Sequence, residues 1–313
     1  MRTVLELPRS PEGAEVSPKA PARRKVALVL GAGSLKCAAA FGVVKVLQRH
    51  GIVPDLIVAC SGGAFCAAWL AQCGTGAQPA DAADVAAARF ARGWDGAFDE
   101  VDYRAVLSAV FPRMLRFDQR ASIIRDRRIN AALQGFANDL RIEDLPVPLR
   151  LVATDFISGE EVILSSGMLS DGIRATIAMP LILPPWELAG RTLVDGGVCN
   201  PLPLNVAIRE GADIIIAVGF EDALETEFQS GMGLVRQLTT LLVNRLYRAQ
   251  YGFYNLTHHA ETLAIFPDIQ RRVGLGDVHL VPYLVERGVA AMEREIPYLQ
   301  RLIATPKAAE MAS

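Results

Sequence analysis

Apolar runs of strand length alternate with stretches of helical spacing from the first quarter of the chain onward. Lys25-Val-Ala-Leu-Val-Leu30 is a short apolar run ending in Gly31-Ala-Gly33-Ser34. Helical spacing then predicts a helix from about Ala38 to His50, with Phe41, Val44 and Leu47 on one side and Gly51 closing it. Pro54-Asp-Leu-Ile-Val-Ala-Cys60 reads as a second strand, and Gly62 to Gln72 as a second helix. A β-α-β-α start of this kind predicts an α/β fold, a three-layer α/β/α sandwich around a mostly parallel sheet.

The pattern loosens between residues 75 and 140, which read as a helical insertion: an Ala-rich helix (Asp81 to Gly93), then Tyr103 to Phe117, then Arg120 to Phe136. Strands resume at Pro148 to Thr154 and Glu161 to Leu164, followed by a short helix from Leu169 to Ala178. A Pro-rich passage leads to Arg191-Thr-Leu-Val194 and the turn Asp195-Gly-Gly197. Ala212 to Val218 is another buried strand, and two long helical patterns, near Met232 to Tyr254 and Val278 to Leu302, complete the fold. The expected organisation is one domain over residues 25–304, with tails at 1–24 and 305–313.

Composition narrows the function classes. The chain has 313 residues, 51% of them hydrophobic, which suffices for a full core. No apolar run reaches the roughly 18 residues of a membrane-spanning helix. The opening carries charge and four prolines (Pro8, Pro11, Pro18, Pro21) and lacks an apolar core, so it reads as a disordered tail and not as a secretory signal. A net charge of −2 with no long basic stripe argues against nucleic acid as a partner. Five cysteines (Cys37, Cys60, Cys66, Cys73, Cys199) show no metal-ligand spacing, so reduced thiols in a cytoplasmic protein are expected.

The candidate chemistry centres on Ala59-Cys-Ser61-Gly-Gly63, where a strand delivers a serine into a turn of small residues and a helix follows. That is the strand–elbow–helix layout of a serine nucleophile, here A-x-S-x-G and one methyl from G-x-S-x-G. Three glycine turns, Gly31–Ser34, Ser61–Gly63 and Asp195–Gly197, each follow an apolar strand, and parallel strands bring their carboxyl ends to one edge. None of the four histidines is well placed to serve Ser61: His50 ends a helix, and His258, His259 and His279 lie in late segments. Asp195 is therefore the leading base. Gly31-Ala-Gly33-Ser-Leu-Lys36 fails G-x-G-x-x-G, because position 36 is Lys, and also fails the phosphate loop G-x-x-x-x-G-K-[ST]. Before a helix, it suits an oxyanion-binding turn, with the Gly62 N–H as a further donor.

Together these blocks resemble the patatin-like phospholipase family, in particular its compact bacterial members, from about Lys25 to Phe220. Their order matches: the glycine turn with its basic residue, Phe41-Gly-Val-Val-Lys-Val-Leu47, Gly51-Ile-Val-Pro-Asp55 and the Ser61 elbow. Ala153-Thr-Asp155 with Ser158-Gly159 follows, then Ile173-Arg-Ala-Thr-Ile-Ala-Met-Pro180, Asp195-Gly-Gly197 and Asn200-Pro-Leu-Pro203. The resemblance implies a Ser61–Asp195 dyad and an oxyanion hole at Gly33, Ser34 and Lys36. It also implies hydrolysis of lipid acyl esters, of phospholipase A, lysophospholipase or esterase type, through an acyl-serine without metal or cofactor. Two departures stand out: Ala59 and Cys37 occupy positions where the family usually has Gly. Acyl transfer by the same dyad, and a non-catalytic lipid-binding homologue, are the rival readings.

Partners follow from the same residues. A lipid or acyl-ester substrate is expected, with peripheral contact to a membrane surface as a further reading and an oligomer left open. Ile177 to Trp186 reads either as an acyl-pocket or membrane-touching passage, or as a buried connection. Arg113, Arg116, Arg120, Arg125, Arg127 and Arg128 form a basic cluster that reads as a solvated face or an anionic-headgroup contact. Arg174 reads as structural. The helix near Leu238 to Tyr254 is amphipathic and is expected to pack on the core; exposure of its apolar side would suggest a dimer surface.

Overall fold

The computed structural model describes residues 23–74, 78–104, 122–137, 139–221 and 231–305, together with 224, 226 and 227. The expected helix from Tyr103 to Phe117 falls largely on 105–121, and both expected tails fall largely on 1–22 and 306–313, outside the described residues. Arg113, Arg116 and Arg120 are outside as well.

Eight strands form one mixed, mostly parallel sheet: β1 (Val26–Leu30), β2 (Leu56–Cys60), β3 (Leu149–Asp155), β4 (Glu161–Leu164), β5 (Trp186–Leu188), β6 (Arg191–Asp195), β7 (Ile214–Val218) and β8 (Glu261–Ile265). Their order is β5-β6-β3-β2-β1-β7-β8, with β4 also on β3. β3, β2, β1, β7 and β8 run parallel, whereas β4 and β6 pair antiparallel with β3, and β5 with β6. β1, β2 and β7 are buried along their whole length. Continuous apolar runs of this type are what a sheet covered on both faces requires. Trp186–Leu188 and Glu261–Ile265 were not legible as strands, because both are short edge strands with mixed exposure.

Helices α1 (Ala39–Arg49), α2 (Gly63–Cys73), α3 (Ala82–Trp94), α4 (Arg127–Ala137), α5 (Leu169–Thr176), α6 (Leu204–Arg209), α7 (Gly231–Thr257) and α8 (Val281–Ala304) complete the described fold. α1, α2, α3 and α8 supply the core on one face of the sheet. α6 and the inward side of α7 (Val243, Tyr247, Tyr251, Tyr254) cover the other. Residues 34–38 form a separate 3-10 turn before α1, and α1 is buried on nearly all sides, because α3 and α8 both pack on it. One expected apolar side was therefore too few.

α1 and α8 cross at contact distance. A Cβ on Gly42 would strike the Val285 carbonyl, and one on Gly288 the Ala39 carbonyl. This crossing matters for the site, since α1 continues directly from the glycine turn after β1. At the opposite end of the sheet, Asp55 accepts from the Val26 N–H (2.8 Å) and Asp213 from the Lys25 N–H (2.8 Å), satisfying donors where β1 begins.

Gly288→Val should lower unfolding stability by about 1–3 kcal/mol through overpacking. Denaturant unfolding checks this, and an unchanged midpoint would show that the two helices part freely.

Candidate active site

Register along β3 decides where Ser61 and Asp195 meet. Leu151 and Val152 pair with both β2 and β4, while Ala153 and Thr154 pair with both β4 and β6. A strand has two edges, so β2 and β6 must share one edge of β3, lying end to end. Cys60, the last residue of β2, is opposite Val152; Asp195, the last residue of β6, is opposite the next residue, Ala153. Two strands pointing at each other thus deliver Ser61 and Asp195 to one spot. The expectation of three parallel carboxyl ends holds for β1 and β2, but Asp195 arrives on an antiparallel strand. Gly196 is required at the junction, because a Cβ there would collide with the Val152 carbonyl.

Ser61 Oγ donates to Asp195 Oδ2 at 2.6 Å, and both residues are nearly sealed, with 5% and 4% exposure. The other carboxylate oxygen accepts from Gly197 N–H at 2.7 Å. Burial pushes the Asp195 carboxyl up to about 6, and the hydrogen bonds from Ser61 and Gly197 work against that rise. The shift leaves a carboxylate at neutral pH that is more basic than an exposed one. All four histidines are exposed, and none lines this buried pair.

Ser61 has φ 54°, in the left-handed region that a non-glycine residue enters at a cost. Three features hold it there. Gly62 leaves room for the Ser34 carbonyl, 2.5 Å from where its Cβ would be; Gly63 does the same for the Leu30 and Gly31 carbonyls at 2.7 and 2.8 Å. Thr176 is the third: its hydroxyl accepts from Ser61 N–H at 2.9 Å and donates to the Val152 carbonyl. Thr154 plays the matching part for Asp195, donating to its carbonyl at 2.9 Å. Neither threonine announced a role in the sequence, although both stand in blocks quoted for the resemblance.

The glycine turn after β1 faces the elbow. Ser34 also has a left-handed φ, 53°, and Gly33 has no room for a side chain against Phe220. The turn is anchored from behind, since Gly31 N–H donates to Val218 O, Ala32 N–H to Pro201 O, and Tyr247 O–H to Ala32 O. No hydrogen bond within the described residues engages the amides of Gly33, Ser34 or Gly62. The Lys36 Nζ reaches the carbonyls of Glu221 (3.2 Å) and Phe220 (3.4 Å), and its own N–H closes the 3-10 turn onto Gly33.

The two departures from the usual glycines fit without disruption. Ala59 is fully buried in the core between its β1 and β3 neighbours. Cys37 packs beside Gly62 and the Gly31 carbonyl. Burial, and then the Asp195 charge, raises the Cys60 thiol well above its ordinary value, so it offers no competing thiolate. All five cysteines are free thiols.

Arg174 is 1% exposed and binds Asp126 (2.7 Å), Asn130 (2.9 Å) and the Pro184 carbonyl, with its guanidinium over Trp186. It ties α4 to the passage before β5 and takes a structural place, as expected. In the basic cluster, Arg125 pairs with Asp102 and Arg128 with Glu100, so two of its charges are already matched. The Ile177–Trp186 passage is mixed, with Leu183 buried and Met179 and Leu181 exposed.

Comparison with known proteins identifies the family. Residues 28–208 match the model of the patatin-like phospholipase family, and the chain belongs to that family. An uncharacterized NTE family protein of Mycobacterium tuberculosis is 30% identical over 233 residues, 74% of this chain and 58% of the relative, so the chain spans little more than half that protein's length. Mouse patatin-like phospholipase domain-containing protein 7 is 28% identical over 64% of this chain and 14% of its own. The crystal structure of VipD from Legionella pneumophila aligns with a TM-score of 0.48 at 14% identity, over 89% of this chain and 67% of that one.

Thr176→Val should leave Ser61 N–H and Val152 C=O buried without a partner, at about 1–3 kcal/mol for each group. Thr176→Ser should recover most of the loss in denaturant unfolding; a Val variant as stable as wild type would remove the threonine from this role.

Proposed function

We propose that the chain is a serine lipid acyl hydrolase, of phospholipase A, lysophospholipase or esterase type, with Ser61 as nucleophile and Asp195 as base. The observation that carries the reading is the buried 2.6 Å hydrogen bond from Ser61 Oγ to a carboxylate with no histidine beside it. Ser61 Oγ attacks the ester carbonyl as Asp195 Oδ2 takes its proton, giving a tetrahedral intermediate. The amides of Gly33, Ser34 and Gly62 receive the oxyanion, and the Lys36 ammonium behind the turn adds positive potential. Asp195 then returns the proton to the departing alkoxide, leaving acyl-Ser61. Water, deprotonated by the same carboxylate, attacks the acyl carbonyl; the bond to Ser61 Oγ then breaks as Asp195 returns the proton to that oxygen, releasing the fatty acid and restoring the free serine. Membership of the patatin-like phospholipase family supports a lipid ester as substrate. Free thiols throughout support a reducing compartment such as the cytoplasm. No helix among the described residues is long and apolar enough to cross a membrane.

Acyl transfer differs only in the acceptor, so free fatty acid as sole product in the presence of competing alcohols decides for hydrolysis. Ser61→Ala should reduce hydrolysis of a short p-nitrophenyl ester by about a thousandfold or more, with an unchanged melting temperature. Prompt labelling of wild type, and not of Ser61→Ala, by a fluorophosphonate is the second readout. Equal rates in both proteins would refute the assignment.

The pH profile follows from the raised carboxyl. The base must be ionised, so kcat/KM should rise with pH through about 6 and then level. Stability runs the other way: a carboxyl raised on folding favours the folded state below its unfolded value and loses that contribution as pH climbs toward about 6. The stability of wild type relative to Asp195→Asn should therefore fall between about pH 4 and 6. A flat difference across that window would show that the carboxyl is not desolvated.

A further inference from the structure

A tyrosine sealed inside the protein holds the back of the glycine turn. α7 presents Val243, Tyr247, Tyr251 and Tyr254 to the core at helical spacing, and of these Tyr247 is fully buried. Packing alone asks only for its ring. A phenol oxygen withdrawn from water costs free energy unless it is hydrogen-bonded, and this one donates to the Ala32 carbonyl in the turn after β1. Gly31 makes room for it, since a Cβ there would collide with the Tyr247 oxygen and with the Pro201 carbonyl. That same Pro201 carbonyl accepts from the Ala32 N–H at 2.8 Å. Ala32 is thus held at both its N–H and its C=O.

The peptide that joins Ala32 to Gly33 carries the Ala32 carbonyl on one side and the Gly33 N–H on the other. In a planar trans peptide these two groups point in opposite directions. Whatever fixes the carbonyl therefore aims the amide, here away from Tyr247. Without that bond the unit can turn about ψ of Ala32 and φ of Gly33, where the missing side chain leaves few steric limits. A half turn would put a carbonyl oxygen where the amide had been, and it would repel a forming oxyanion. The hydrogen bond at the carbonyl also polarises the amide and strengthens its N–H as a donor.

We propose that Tyr247 is a positioning residue for ester hydrolysis: its hydroxyl fixes the Ala32–Gly33 peptide so that the Gly33 N–H meets the oxyanion. The inference rests on the hydrolase reading above, with Ser61 as nucleophile and Gly33 among the oxyanion donors. Tyr247 lies on α7, beyond residues 28–208 that match the family model. Its hydroxyl acts through Ala32, and its ring keeps the turn seated on the core.

Tyr247→Phe keeps the ring and removes only the hydroxyl. With the full chain and a short p-nitrophenyl ester, kcat should fall about tenfold or more while KM stays within about twofold, because the lost contact acts on the transition state. Affinity for a trifluoromethyl ketone, which forms a tetrahedral oxyanion on a serine, should weaken by a similar factor. The kcat/KM midpoint near pH 6 should not move, since the Asp195 pair is untouched. Gly31→Ala crowds the same hydroxyl and should show the same loss, and much less of it in a Tyr247→Phe background. It carries the test if the Phe variant does not fold. A merely structural tyrosine would lower the melting temperature and leave kcat and ketone affinity alone. Wild-type kcat in either variant, or a loss confined to KM, would overturn the proposal. An inactive wild type would remove the hydrolase reading and this role with it, whereas an active wild type with an equally active Phe variant removes the role of Tyr247 alone.

Discussion

Everything at the site depends on one edge of β3 being divided between two strands. β2 uses that edge up to Val152 and β6 takes it from Ala153 onward, in opposite directions. Neither strand can lengthen without colliding with the other. The residues that leave the sheet at the junction, Ser61 from one and Asp195 from the other, have nowhere to go but into contact. The hydrogen bond between them is thus a consequence of strand register and needs no long or flexible side chain. Gly196 is the steric condition for the junction, and the threonines at 154 and 176 supply the hydrogen bonds that the interrupted ladder leaves unmade.

A second constraint sets Ser61 and Asp195 against the glycine turn after β1. The turns after β1 and β2 press together so closely that Gly62 and Gly63 can carry no side chain. Each of the two turns holds a left-handed serine, Ser34 in one and Ser61 in the other. Backbone strain there is held by closely packed surroundings: a buried parallel core below, the glycine-mediated crossing of α1 with α8 on one side, and Tyr247 on the other. Rigid backing of this kind is what keeps amide donors fixed while charge develops. Lys36 fits the same logic, since its ammonium clamps the chain after β7.

Burial of the pair couples chemistry to stability. A carboxylate withdrawn from water is a stronger base, and the same desolvation makes its ionised form a cost to the fold. With no imidazole beside Ser61, the proposed proton transfer rests on that carboxyl, whose burial raises its basicity.

Much of this was legible in the chain. Short apolar runs ending in Gly31, Ser61 and Asp195 encode buried strands followed by tight turns, because only small residues tolerate such turns and only apolar ones tolerate a sheet covered on both faces. The elbow, the candidate base and the helices that follow them are local properties, and local sequence determined them. Strand direction and register are not local. That β6 runs against β2, that Thr176 bridges Ser61 to Val152, that Lys36 turns toward Phe220, and that Tyr247 meets Ala32 all depend on which segments become neighbours. Pairing partners far apart in the chain are selected by the total packing of the fold, which no single stretch of residues specifies.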